Sequence, residues 1–171
     1  MKKVLLLMVA ILMVASVAMA DHISLYVDAS GTSCNLASGF NSTATILHKY
    51  TLGATGSRFY LDISNAPGTA IFGFNSPFTP VGNIATDLSL GYGGCQGPGT
   101  IVLGTMIISL GASGYMDILA SPGFGLLYTD CNFEEKTATG GRAHINNPEG
   151  TCLEPVATQP ATWGQVKALY R

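Results

Sequence analysis

The fold is decided by the sequence RFYLDI at residues 58–63, in which apolar side chains alternate with polar or half-polar ones. Phe59, Leu61 and Ile63 fall on one side of an extended chain, because successive side chains of a β-strand point to opposite faces. A period of two is typical of a strand with one buried face. The segment therefore predicts a sheet that packs one face against a core.

The same period recurs on both sides of this segment, from residue 21 to about residue 146. Eight further runs have the pattern of strands: 23–27, 44–50, 70–74, 86–90, 100–110, 115–120, 126–129 and 142–145. The run 100–110 is apolar on both faces, which indicates a central strand. About nine short strands separated by turn residues predict an all-β fold, either a barrel or, as we expect, a two-sheet antiparallel sandwich of jelly-roll type.

Two glycine-rich stretches give specific expectations. The sequence GASG at 111–114 predicts a hairpin between the runs at 100–110 and 115–120, because glycine accepts positive φ. The stretch 91–99 holds five glycines in nine residues and predicts a wide turn fixed by Cys95. Tyr92 in this turn is a candidate binding residue that could stack on a sugar or a partner, although it could also simply fill the turn.

The N-terminus has the three parts of a secretory signal peptide. Lys2 and Lys3 precede an apolar run at 4–17, and the small residues of Ala18-Met19-Ala20 favour cleavage before Asp21. An uncleaved N-terminal anchor is the alternative. We therefore divide the chain into three parts: a signal peptide that forms a helix (1–20), a β-sandwich domain (21–152), and a linker with a short helical tail (153–171).

Charge excludes several classes of function. Without Lys2 and Lys3, six basic residues face ten acidic ones, a formal charge of about −4 with no run of either sign. A nucleic-acid-binding protein carries a basic patch, which is absent from this sequence. No second stretch of about 18 apolar residues follows the signal peptide, so we expect no membrane span after cleavage. The expected location is secreted, periplasmic or extracellular.

The four cysteines predict disulfide bonds. Cys34, Cys95, Cys131 and Cys152 are an even number in an exported chain, and none forms the CxxC spacing of a zinc or redox site. Three pairings are possible, and the sequence alone does not choose among them. We expect Cys34–Cys95 and Cys131–Cys152, because the second pair would close a polar loop region with few core residues.

The last segment has a different pattern. Trp163, Val166, Leu169 and Tyr170 fall at helical spacing after a linker rich in proline and threonine. A helix this short is marginal alone, so it would dock either on its own sandwich or on another protein. Trp163 and Tyr170 are therefore candidate binding residues.

With its strands in order, the chain resembles the cohesin-like β-sandwiches of bacterial exported proteins. The segment 46–62 looks like the second and third strands of that family, and the segments 99–120 and 127–145 look like its later strands. The resemblance implies a nine-stranded jelly roll that grips a partner domain through one sheet face. The four cysteines depart from the family. The tail at 162–171 is similar to the endings of uncharacterised secreted proteins of environmental bacteria.

Catalytic residues are few. Ser113 lies in a predicted turn one residue short of the G-x-S-x-G pattern, and His48 and His144 lie singly in predicted strands. Asp130, Asn132 and Glu134 alternate and could bind Ca²⁺, but the pattern lacks the glycine and the distal glutamate of a helix–loop–helix site. We therefore assign no metal site, no cofactor and no catalytic residue.

The functional expectation is a secreted binding or adhesive module whose ligand is a protein or a carbohydrate at the cell surface. The alternative is a structural subunit of an extracellular or cell-surface assembly, and a secreted hydrolase is a weaker third. The oligomeric state stays open at this stage.

Overall fold

The computed structural model describes residues 21–50 and 52–152, which form thirteen β-strands. In chain order they are β1 (His22–Tyr26), β2 (Asn35–Leu36), β3 (Gly39–Tyr50), β4 (Ala54–Asp62), β5 (Ala70–Asn75), β6 (Thr79–Asn83), β7 (Asp87–Gln96), β8 (Gly99–Leu110), β9 (Gly114–Leu119), β10 (Leu127–Thr129), β11 (Glu135–Thr137), β12 (Thr139–Gly140) and β13 (Arg142–Ile145).

The strands form two layers. The five-stranded sheet has the order β12-β1-β3-β8-β5, and its centre is the long antiparallel pair β3–β8. The eight-stranded sheet has the order β11-β10-β4-β9-β13-β2, and β7 lies on the other edge of β4 with β6 beyond it. The predicted all-β, two-sheet sandwich is confirmed.

The core lies between the two sheets. Phe59 and Leu61 of β4 are buried and their neighbours on the strand are half-exposed, as the RFYLDI pattern predicts. Ile46, Met106 and Ile108 of the five-stranded sheet are also fully buried. Each such side chain contributes roughly 1.5–3 kcal/mol through removal of apolar surface from water. Burial of these side chains between the sheets therefore holds the two layers together.

All nine predicted strands are present, as β1, β3, β4, β5, β7, β8, β9, β10 and β13. Four short strands at 35–36, 79–83, 135–137 and 139–140 were not predicted, because most are too short to show a period. Two of them pair in parallel, β12 with β1 and β2 with β13. The sheets are therefore mixed, and the expectation of a purely antiparallel sandwich is corrected in this respect.

The predicted hairpin at 111–114 is wrong, because β8 and β9 belong to different sheets. The glycines instead allow the chain at 111–114 to pass close to the backbone at 65–68. A side chain at Gly111 would collide with the backbone oxygen of Pro67, and one at Gly114, whose φ is 126°, would collide with that of Asn65. The chain therefore changes sheets here, packed against the backbone around 65–68.

The wide turn expected at 91–99 is also corrected. Strand β7 continues through most of this stretch to Gln96, and only Gly97 and Pro98 connect it to β8. Glycine composition alone does not distinguish an extended strand from a turn, since glycine adopts both conformations.

The disulfide pairing differs from the expectation. Cys34 bonds to Cys152, and Cys95 bonds to Cys131. Sheet topology gives the reason for the second bond, because Cys95 is near the end of β7 and Cys131 follows β10, and β4 pairs with both strands. All four cysteines are paired, as predicted.

The signal peptide at 1–20 and the tail at 153–171, with its predicted helix, lie outside the described residues, so both stay predictions. In the described part of the chain, no helix has the length and apolar character needed to cross a membrane.

Candidate functional site

Of the three candidate binding residues, the structure describes only Tyr92. Tyr92 lies in the core, 4% exposed, and its hydroxyl oxygen is 3.0 Å from Nδ1 of His48. Its ring therefore faces the other sheet and not the solvent. Trp163 and Tyr170 lie outside the described residues. The side of β7 that is open to a ligand is the opposite one, which carries Ser89 and Gly91.

A groove of about 550 Å³ crosses the outer face of the eight-stranded sheet. We call it the outer groove; it lies over β4 and β7 and beside β10. Its lining residues are Thr55, Gly56, Ser57, Arg58, Ser89, Leu90, Gly91, Gly94, Phe124, Leu127, Tyr128, Thr129, Phe133 and Glu135. The strands that build it are distant in sequence but adjacent in the sheet.

The floor of the outer groove is made by glycines. At Gly56 a side chain would lie 2.8 Å from the backbone oxygen of Leu90, so the packing of β4 on β7 requires glycine. Gly91 and Gly94 differ, because a Cβ at either position would meet no atom within 4 Å and neither has a positive φ. The backbone does not require glycine there. Their missing side chains leave the groove open.

Phe124 forms one wall. It is 53% exposed, and the guanidinium carbon of Arg58 lies 3.4 Å from the centre of its ring. Arg58 also donates two hydrogen bonds to Asp87, from Nε to Oδ1 at 2.9 Å and from Nη2 to Oδ2 at 2.6 Å. These bonds lower the pKa of Asp87 to about 2. The wall therefore rests on an ion pair that stays charged at ordinary pH.

Phe133 stands at the rim in an unusual conformation. It is 80% exposed, and its φ of 63° lies in the left-handed region that bulky side chains rarely adopt. The loop is held by Asp130, whose Oδ1 accepts hydrogen bonds from the backbone N–H groups of Asn132 at 2.8 Å and Glu134 at 3.0 Å. The pKa of Asp130 is lowered, first by the bond from Glu134. Phe133 is thus fixed outward.

The Cys95–Cys131 disulfide joins this loop to β7. It connects the strand that supplies the glycine floor with the loop that carries Phe133. A covalent link at this point limits how far the rim can move from the floor. The outer groove is therefore pre-formed at this end, which lowers the entropy cost of binding.

Lys136 occupies the position suggested above for a calcium ion. Its Nζ is 2.6 Å from Oε2 of Glu134 and 3.6 Å from Oδ2 of Asp130. Hydrogen bonds to this cation raise the pKa of Lys136, first through Glu134. Within residues 21–50 and 52–152, no three His, Cys, Asp or Glu side chains are grouped to hold a metal ion.

The two described histidines of the predicted strands do not line the outer groove. His48 is fully buried between the sheets, and burial lowers its pKa to about 4. His144 is also buried, at 7% exposure. The exposed lining residues of the outer groove are Gly91, Gly94, Phe124, Phe133 and Glu135. Such a surface can bind a partner by burial of apolar area.

Sequence reasoning missed Phe124, Phe133 and the role of Gly91. One signal was available, since Phe133 is a large apolar residue between Asn132 and Glu134 in an otherwise polar loop. Phe124 stands between Gly123 and Gly125 and had no such polar context. Their proximity to the floor depends on the pairing of β10 with β4, which no local pattern specifies.

No family model matches this chain, and no curated protein matches it. Among solved structures it is similar to a chain of the complex between a CaDoc0917 variant and CaCohA2 at pH 5.5, with 10% identity and a TM-score of 0.46, over 73% of this chain and 97% of that one.

It is similar also to the non-cellulosomal cohesin from the hyperthermophilic archaeon Archaeoglobus fulgidus, with 13% identity and a TM-score of 0.45. The match covers 76% of this chain and 94% of that one. A third similar structure is a type II cohesin domain from the cellulosome of Acetivibrio cellulolyticus, with 13% identity and a TM-score of 0.47. The match covers 74% of this chain and 95% of that one.

Proposed function

We propose that this chain is an exported, non-catalytic binding module that recognises a protein partner through the outer groove. The observation that carries the proposal is Phe133, an exposed aromatic residue held with a φ of 63° at the rim. A non-glycine residue in this region costs on the order of 1–3 kcal/mol, and such strain is concentrated at functional sites.

The surroundings of Phe133 support this interpretation. A disulfide bond at Cys131 and the hydrogen bonds to Asp130 keep the loop in the strained form. Aromatic residues set in a water-excluding ring dominate the binding energy of many protein interfaces. Phe133 and Phe124 stand at the edges of one groove and would serve as two such anchors.

The lining of the outer groove favours a protein partner over a glycan. Sugars present many hydroxyl groups that need hydrogen-bonding partners when buried. The strongest donor in the groove, Arg58, is already bonded to Asp87. Ser89, Thr129 and Glu135 are the main polar side chains left along the groove. Apolar side chains of a protein segment match two phenylalanines and a glycine floor better.

Export is supported by the chemistry of the cysteines. Two disulfides form and persist in oxidising compartments such as the periplasm or the cell exterior. The N-terminal sequence ahead of Asp21 predicts the route to such a compartment. We therefore expect the partner to be encountered outside the cytoplasm.

The test uses three variants of the disulfide-bonded protein. Gly91→Leu fills the groove at a position where a Cβ meets open space, and Gly97→Leu is the matched control outside the groove. Phe133→Asn removes the ring and relieves backbone strain, because Asn tolerates positive φ better than Phe. Phage-displayed random peptides are selected on the wild-type protein, and the enriched peptides are titrated against each variant.

We expect enriched peptides to be rich in apolar residues. Gly91→Leu and Phe133→Asn should each weaken them at least about tenfold, as for loss of an interface anchor. Gly97→Leu should bind like the wild type. The proposal fails if no peptide is enriched, if the groove variants bind unchanged, or if only polysaccharides from a parallel panel bind at the groove.

A further inference from the structure

A second exposed apolar surface lies on the outer face of the five-stranded sheet, on the opposite side of the sandwich from the outer groove. It consists of Phe40 on β3, Phe72 on β5 and Ile107 on β8, and we call it the aromatic patch. These side chains are 75%, 56% and 49% exposed. The proposed binding function does not use them.

The three residues converge above β8. The ring centres of Phe40 and Phe72 are 5.5 Å apart, although β8 separates their strands in the sheet. Because both rings are exposed, they must meet over the solvent face of β8. Ile107 points to the same face, since its neighbours Met106 and Ile108 are fully buried.

The three strands that form the patch carry no charged side chain beside it, since β3 has none before His48. The sequence has no Asp, Glu, Lys, Arg or His at 63–86 or at 88–116, ranges that include the whole of β5 and β8. Strand β5 is also the edge of its sheet and pairs only with β8 among the described strands. Natural edge strands are commonly protected from association by charged side chains. This edge lacks that protection.

We propose that the aromatic patch is the interface with a second copy of this chain, related by a two-fold axis. A neutral surface meets its own copy without like-charge repulsion, and it offers no charge to select a different partner. A two-fold contact places the same residues on both sides, so the Phe40–Phe72 pair packs on its symmetry mate. Stacked and edge-on aromatic pairs add to the gain from burial.

The size of the patch sets the strength of the dimer. The two rings expose roughly 250 Å² per copy, or about 500 Å² for two copies, before neighbouring side chains are counted. Stable interfaces bury about 1,200–2,000 Å² in total. The association is therefore weak, and it becomes populated where the protein is concentrated.

The geometry gives the dimer a function that rests on the proposed function of the outer groove. A contact through the five-stranded sheets leaves the two eight-stranded sheets facing outward, so the grooves point in opposite directions. Such a dimer is bivalent and can join two partners. Bivalency raises the effective affinity for a surface that presents many copies of the partner.

The test is sedimentation equilibrium of the disulfide-bonded protein over a range of concentrations, which needs no ligand. Phe72→Lys and Ile107→Lys each place a charge in the patch. Val81→Lys is the control, since Val81 is 67% exposed but lies on β6 of the other sheet. Thermal unfolding of each variant confirms that it is folded. A second series at high salt tests the neutral character of the contact.

We expect the average mass of the wild type and of Val81→Lys to rise toward a dimer with concentration. Both patch variants should stay monomeric, with at least a tenfold loss of association. High salt should not weaken the dimer, because screening acts on charges. The proposal is overturned by a wild type that is monomeric throughout, by patch variants that dimerise normally, or by open-ended growth. None of these results depends on the outer groove.

Discussion

The guanidinium carbon of Arg58 lies 3.4 Å from the centre of the Phe124 ring, while the same group forms two hydrogen bonds with Asp87. Strand β4 thus holds one wall of the outer groove through a single side chain. Arginine suits this position because its planar group can stack on a ring and bind a carboxylate at the same time.

Replacement of Arg58 by lysine should therefore release Phe124. A double-mutant cycle of Arg58→Lys with Phe124→Ala, measured by urea unfolding, should give a coupling free energy of about 0.5–1 kcal/mol. The ion pair with Asp87 is half-exposed, so it adds little to the cost of Arg58→Lys alone. Arg58→Lys combined with Val81→Ala is the control and should be additive. Additivity in the Phe124 cycle would contradict the contact.

Two glycines should respond to substitution in opposite directions. Gly91→Ala should raise the free energy of unfolding by about 0.5–1 kcal/mol, because alanine loses less backbone entropy on folding and its Cβ meets open space. Gly82→Ala should lower it by more than about 1 kcal/mol, since φ is 97° and the Cβ would collide with the backbone oxygen of Asp87. Urea unfolding of both proteins measures the difference. A lower free energy of unfolding for the Gly91→Ala protein would contradict the prediction and show that folding requires glycine at this position.

The disulfide pairing can be tested by tryptic mapping without reductant. Cleavage after Lys49, Arg58, Lys136 and Arg142 leaves Cys95 and Cys131 in one peptide, 59–136. The observed pairing should therefore join the peptide ending at Lys49 only to peptide 143–167, through Cys34–Cys152. A bond from the peptide ending at Lys49 to peptide 59–136 would instead support one of the other two pairings.

The buried His48 should make stability depend on pH. Burial lowers its pKa from 6.5 to about 4 in the folded protein, so between these values the unfolded chain binds more protons. Stability should therefore fall as pH drops from 6.5 toward 4, by about 3 kcal/mol from this residue. His48→Gln should remove that part of the slope while the amide can still bond to Tyr92. Urea unfolding at several pH values gives the comparison, and equal slopes would contradict it.

The strands could be predicted because their signal is local. Alternation at 58–63 reflects burial on one side of the strand, and the segment shows this without reference to its partner strands. The hairpin at 111–114 was predicted wrongly for the same reason. Two glycines permit a tight turn and a close crossing equally well, and the backbone near Pro67 decides between them.

The binding surface could be predicted much less well. Tyr92 was chosen because it lies in the glycine-rich stretch 91–99, yet alternation along β7 turns its ring into the core and leaves Gly91 outside. Phe124 and Phe133 belong to loops before and after β10, and their role depends on β10 lying beside β4. That pairing is a long-range contact, so it leaves no mark in either segment alone.

By itself, the amino-acid order determined the nine longer strand segments and that four cysteines would be oxidised, because side-chain alternation and cysteine number are properties of short stretches and of composition. Only the tertiary structure decided which strands are neighbours, which cysteines meet, and that β4, β7 and β10 enclose a groove. These features depend on the joint packing of two sheets, in which every pairing is selected by the burial of distant residues together.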